Sequence, residues 1–160
     1  MACVALLSLA LASCGSDPPG SVDHEQPAID LEACASAAPT CVREGTVTSI
    51  EAILPGDGHA IHLAKGASIR APLMRPSDTA KLAFLVLGIR ATNADDTTTP
   101  VLPAQIAVQI DGAIDVTVRP LAGFGRTEIQ SKLVVPGATV TIRCLAGAVD
   151  LAYVEGRWND

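Results

Sequence analysis

An all-β fold, an antiparallel β-sandwich of jelly-roll type, is predicted by three observations on this chain. From Thr46 onward, apolar residues recur mostly with a period of two, the signature of strands rather than helices. Asp-Gly, Pro-Gly and Ala-Gly pairs punctuate the apolar runs, and each supplies backbone angles that tight turns need. About eight short strands separated by such turns are the pattern of a sandwich or jelly roll.

The elements follow in order. Residues 47–54 and 59–64 read as the first strands. Residues 82–89 (LAFLVLGI) are apolar on both faces, as in a central buried strand. Ser77-Asp78 ahead of them would suit a helix cap equally well, and the strands on either side decide for a strand. Residues 104–110, Asp111-Gly112 and residues 113–118 form a hairpin. Ile106, Val108 and Ile110 share one face with Ile114, Val116 and Val118, while Gln105, Gln109, Asp115 and Thr117 point the other way. Residues 129–135 lead through Pro136-Gly137 into 139–144, with Val140, Ile142 and Cys144 inward. Ala146-Gly147 then turns the chain into 149–154, where alternation puts Tyr153 on the face of Val149 and Leu151.

The chain before this body has a different character. Residues 4–10 are apolar but far short of the ~20 residues that span a bilayer. Leu11-Ala12-Ser13-Cys14 follows at once and resembles a bacterial lipobox. The resemblance implies that residues 1–13 are a signal peptide and that Cys14 is the lipid attachment site, carrying a diacylglycerol and an amide-linked acyl chain. The lipid bilayer is then a partner, since two or more acyl chains anchor stably where one does not. Gly15-Ser16, with no Asp after Cys14, is similar to lipoproteins sorted to the outer membrane, so a cell-envelope location is expected. Residues 15–30 (GSDPPGSVDHEQPAID) combine Pro, Gly, Ser and acids with little to bury, which reads as a disordered tether. The expected organisation is a signal peptide over 1–13, a lipid-anchored flexible linker over 14–33 and a β-sandwich over 34–160.

Charge narrows the partners. The formal net charge of −6 is concentrated early, where six acids up to Glu44 face only Arg43. No basic stripe exists, which argues against nucleic acid. Export exposes Cys34, Cys41 and Cys144 to an oxidising compartment. Three cysteines allow one bridge. Cys34–Cys41 is the preferred disulfide because its loop is short, and a bridge from either to Cys144 is the alternative.

The segments LAFLVLGIRATN, IAVQIDGAIDVTV, KLVVPGATVTIRC and VDLAYVEGRW follow one another as in galactose-binding-like jelly rolls, and residues 81–158 resemble that group of carbohydrate-binding modules. The resemblance implies a glycan partner held on exposed rings; a protein partner is the other option. The chain holds Phe84, Phe124, Tyr153 and Trp158 as its rings. Phe84 falls in the buried run and Tyr153 on a core face, so Phe124 and Trp158 are the ligand-binding candidates.

Catalytic motifs do not emerge. His59 and His62 are three apart in a strand and point to opposite faces, so they do not close on one ion; a turn histidine and a surface histidine are expected. Asn93, Asp95 and Asp96 form a loop with oxygen ligands of the kind calcium takes, and Asn and Asp favour turns in any case. No G-x-S-x-G, H-E-x-x-H or P-loop is present. The sequence reading is therefore a membrane-anchored exported lipoprotein with a non-catalytic binding or structural domain and no cofactor. The alternative is a metal-dependent hydrolase using His59 with Asp57 or the loop from Asn93 to Asp96.

Overall fold

The structure, a computed structural model, describes residues 24–53, 58–92, 103–111, 113–131 and 136–159. The expected signal peptide over 1–13, Cys14, Asp57, Asn93, Asp95 and Asp96 lie outside the described residues. Within them, the chain forms β1 (His24–Pro27), α1 (Leu31–Ala35), β2 (Val42–Glu44), β3 (Val47–Ile50), β4 (Ala60–Leu63) and β5 (Ser68–Pro72). It continues with β6 (Lys81–Thr92), β7 (Gln105–Ile110), β8 (Ile114–Val118), β9 (Gly125–Gln130), β10 (Thr139–Ala146) and β11 (Ala148–Asn159).

Two antiparallel sheets make a sandwich. One has the order β3-β4-β11-β6-β9 with β1 also on β11; the other runs β2-β5-β10-β7-β8. Between them lie Leu85, Leu87 and Ile89 of β6, Ile106, Val108 and Ile110 of β7, Val140 and Ile142 of β10, and Val149 and Leu151 of β11. Non-directional burial of this apolar area is the main favourable contribution to folding.

The five-stranded sheet obeys the expected alternation as far as Cys144, after which the pairing of β10 with β7 shifts register. Ile110 pairs Ile114, Val108 pairs Val116 and Ile106 pairs Val118 across the hairpin. Val116 is 38% exposed because β8 is the edge strand and overhangs the core. Gly137 has φ 78°, as a type II turn after Pro136 requires. Residues 81–92 form a strand rather than a helix, held between β11 and β9 and buried on both faces over residues 85–89.

The N-terminal segment departs from the expected linker over 14–33. Residues 24–27 pair with β11, Asp30 caps α1 by accepting from the Ala33 amide at 2.9 Å, and Ala28, Ile29, Leu31 and Cys34 are buried. Local composition did not reveal this because the stabilising partners are remote. Glu25 reaches Arg126 and Arg157, and the Ala28 amide donates to the Val154 carbonyl at 2.8 Å. Cys34 and Cys41 are joined by a disulfide that ties α1 to the start of β2, and Cys144 remains a buried free thiol on the inward face of β10. Burial pushes that thiol's pKa up.

In β11 the pairing with β6 shifts between Leu151 and Tyr153, which is a β-bulge at Ala152. Val149 and Leu151 face the core before it, and Val154 and Trp158 after it. The bulge reverses the alternation and turns Tyr153 to the outer face, against the expectation that it shares a face with Val149 and Leu151. Opposite it, Gly88 leaves the room: a Cβ there would stand 2.3 Å from the Tyr153 ring.

Candidate functional site

Strands β4 and β1 occupy the same side of β11, one after the other. β4 pairs with Val149 to Leu151 and β1 with Glu155 to Trp158, so residues 152–154 lie in the interval between the two strands. A cleft of about 290 Å³ opens there, walled by Ala152, Tyr153, Val154 and Glu155 of β11, by Ile29, Asp30 and Glu32 from the N-terminal segment, and by Gly58 and His59 ahead of β4. The bulge and the cleft thus share one cause, a β-strand edge passed from one partner to another. Tyr153 is half-buried and meets the half-buried Phe124 edge-on, with ring centroids 6.1 Å apart.

A second feature crosses the outer face of the same sheet. Asp150 sits opposite His62 of β4 and Arg90 of β6 in register. Its Oδ1 pairs with His62 Nδ1 at 2.8 Å; its Oδ2 accepts from Arg90 Nε at 2.9 Å and from the Arg90 terminal nitrogen at 2.8 Å. Asp150 is 4% exposed and His62 8%. A buried carboxylate is retained only when paired, and here both oxygens are engaged. His62 Nε2 is buried and without a hydrogen-bond partner among the described residues. A polar cleft of about 470 Å³ opens on these three side chains, rimmed by Thr48, Glu51 and Thr92.

Farther along, Glu25, Arg126, Glu128 and Arg157 form a surface network, with Arg157 also 5.4 Å from the Phe84 ring centroid. Hydrogen bonds from Arg126, then from Arg157, hold the Glu25 carboxyl down to about 2. This network clasps β1 onto β9 and β11.

The sequence-derived candidates fall as follows. Trp158 lies inside β11 rather than beyond the last strand and is 3% exposed, folded over Gly156, so its ring offers no platform. The expectation failed because the last strand runs five residues past 154, paired to both β1 and β6. Phe124 is half-buried beside Tyr153, which alternation had placed in the core. His59 is exposed in the Tyr153 cleft, whereas His62 is a buried partner of Asp150 and not a surface histidine. The two histidines therefore serve different clefts, on separate stretches of β11. No group of three or more His, Cys, Asp or Glu placed to hold a metal ion occurs among the described residues. None of the described helices is long and apolar enough to cross a membrane. The Asp150 cluster was missed, although lone polar residues inside the apolar runs AIHL, LGIRAT and VDLAYV were its visible trace.

No protein-family model matches the chain, and no curated protein matches it in sequence. Solved structures with the same fold include the C-terminal CBM6 of LamC, a marine laminarinase from Zobellia galactanivorans. It is 8% identical with TM-score 0.56, over 84% of this chain and 99% of the module. A CBM6 from Clostridium stercorarium, solved in complex with cellobiose, is 12% identical with TM-score 0.53, over 84% and 92%. A family 35 carbohydrate binding module from Clostridium thermocellum is 9% identical with TM-score 0.53, over 83% and 97%. Against the catalytic domain of Agl-KA (16% identity, TM-score 0.51), the match covers 74% of this chain but only about a quarter, 26%, of that domain. The likeness is one of fold: this chain is an antiparallel β-sandwich of the architecture seen in carbohydrate-binding modules.

Proposed function

We propose that this protein is an exported, lipid-anchored, non-catalytic module that binds a glycan in the Tyr153 cleft, with Phe124 extending the aromatic surface. The observation that carries the reading is the β-bulge that turns Tyr153 outward into a cleft beside Glu32, Glu155 and His59. Sugar recognition needs an aromatic ring for the apolar C–H face and planar polar groups for the hydroxyls. The fold likeness to modules matched over nearly their whole length supports the reading. Trp158 drops out of the ligand-binding set.

The anchor is the acylated Cys14, in the outer membrane of a cell envelope. With β1 starting at His24, only residues 15–23 are left to act as tether. Nine residues reach about 30 Å when fully extended, so the module works close to the membrane surface.

The test of binding is a glycan array probed with the whole chain carrying Cys14→Ala. Retention of one glycan class, lost in the additional Tyr153→Ala variant, is the expected result. Retention of none, or equal retention by both, would overturn the proposal. Labelling of cells with a fatty-acid analogue tests the anchor: wild type takes the label and Cys14→Ala does not, and an unlabelled wild type refutes the lipoprotein assignment.

A further inference from the structure

We propose a second binding site, distinct from the Tyr153 cleft, in the polar cleft over His62, Asp150 and Arg90, which takes an uncharged ligand rich in hydroxyl groups. The argument begins with proton placement. A carboxylate only accepts hydrogen bonds, so Asp150 Oδ1 fixes the His62 proton on Nδ1. In the neutral imidazole, Nε2 is then left as an acceptor. It is buried in a side chain nine-tenths covered, finds no partner among the described residues, and belongs to a residue lining a cleft of about 470 Å³. Buried polar atoms in native proteins are nearly always satisfied, and an exception calls for an explanation such as a functional one.

The rest of the lining defines what would satisfy it. Arg90 is 40% exposed at its side chain and its charge is matched by Asp150, which leaves guanidinium donors toward the cleft without a net positive field. Thr48 and Thr92 add hydroxyls that donate or accept, Glu51 adds an acceptor, and Ile50, Ala52 and Ile53 supply an apolar wall against which the C–H groups of a polyol can lie. An anion would meet Asp150 and Glu51 with one arginine already paired. A cation would find Asp150 already paired with Arg90 and only Glu51 uncompensated, short of the group of ligands a metal ion needs among the described residues. An apolar ligand would strand every one of these polar groups. Hydroxyls serve both needs, giving a proton to His62 Nε2 and receiving one from Arg90. His62 thus acts as the specificity-determining acceptor, held in one tautomer by Asp150, in the way a carboxylate orients an imidazole in other binding sites.

The two clefts are separable because they use different stretches of β11, residue 150 before the bulge and residues 152–155 at and after it. Long-range proton–nitrogen NMR of the His62 ring, on the whole chain carrying Cys14→Ala, tests the proposal, with mannitol and cellobiose as probes. A saturable shift of the Nε2 signal is expected with at least one probe. Thr48→Trp, which fills the cleft from an exposed position, should weaken it at least tenfold; Glu51→Arg gives a second block should the first variant fold poorly. Tyr153→Ala should leave the shift in place. An Nε2 signal unmoved by either probe to the limit of solubility overturns the proposal. So does a shift that survives both blocking variants, or one abolished by Tyr153→Ala, which would assign it to the other cleft. Loss of glycan binding in Tyr153→Ala with the His62 response intact leaves both sites standing.

Discussion

The two sheets of this sandwich differ in what they ask of their side chains. In the five-stranded sheet, polar residues such as Gln109, Asp115 and Thr117 simply face solvent while their neighbours fill the core. In the six-stranded sheet, the outer face carries a buried carboxylate, a histidine without a second partner among the described residues, a glycine, Gly88, that makes room for the Tyr153 ring, and both clefts. Both sheets contain a register shift, but the one in β10 after Cys144 opens onto neither cleft, whereas the one at Ala152 lies beside the cleft for which glycan binding is proposed.

This contrast can be broken by mutation, beginning with the largest effect. Asp150→Ala leaves Arg90 and His62 without their shared acceptor and should destabilise the fold by about 3–5 kcal/mol. Asp115→Ala, on the outer face of the other sheet, should cost less than about 0.5 kcal/mol. Urea unfolding of the two variants measures the difference, and equal values would erase the distinction. Next in size, Cys34→Ser should cost about 2 kcal/mol, the loop-closure contribution of a short disulfide loop, read from the shift in urea midpoint.

Gly88→Ala sharpens the account of the bulge. Its Cβ would stand 2.3 Å from the Tyr153 ring, so the ring must move. A loss of about 1–3 kcal/mol in thermal unfolding is expected, together with weakened glycan retention.

The smallest effect is that of pH on the β1 clasp. The folded-state pKa of Glu25 lies at about 2, below its ordinary 4.5. Its contribution is therefore fully present above pH 4.5 and is lost as pH falls from there toward 2. The groups are surface-exposed, so the loss is about 1 kcal/mol or less. Glu25→Gln should flatten that limb of the stability–pH curve, and an unchanged curve would remove Glu25 from the clasp.

Much of the sandwich was legible because it follows local rules. Ile106, Val108, Ile110 and their partners across Asp111-Gly112 announce a hairpin, and Val140, Ile142 and Cys144 announce an inward face. What stayed hidden depends on contacts remote in sequence. Residues 24–33 look like part of a linker until Arg126, Arg157 and the edge of β11 supply partners more than a hundred residues away. The bulge at Ala152 cannot be read from VDLAYV, whose perfect alternation placed Tyr153 in the core; only pairing to Gly88 and the hand-over from β4 to β1 reveal it. Trp158 was misjudged for the same reason, since the strand's true length is set by its neighbours. His62, Asp150 and Arg90 are lone polar residues in three separate apolar runs, and nothing local says that they meet.

The central claim, that the six-stranded sheet is the recognition surface, is tested most directly by mapping amide shifts with a glycan retained on the array. The account predicts that the largest shifts cluster at residues 152–155 of β11 with Asp30, Glu32 and His59 around the cleft. Shifts concentrated instead on β2, β5, β7, β8 or β10 would contradict it.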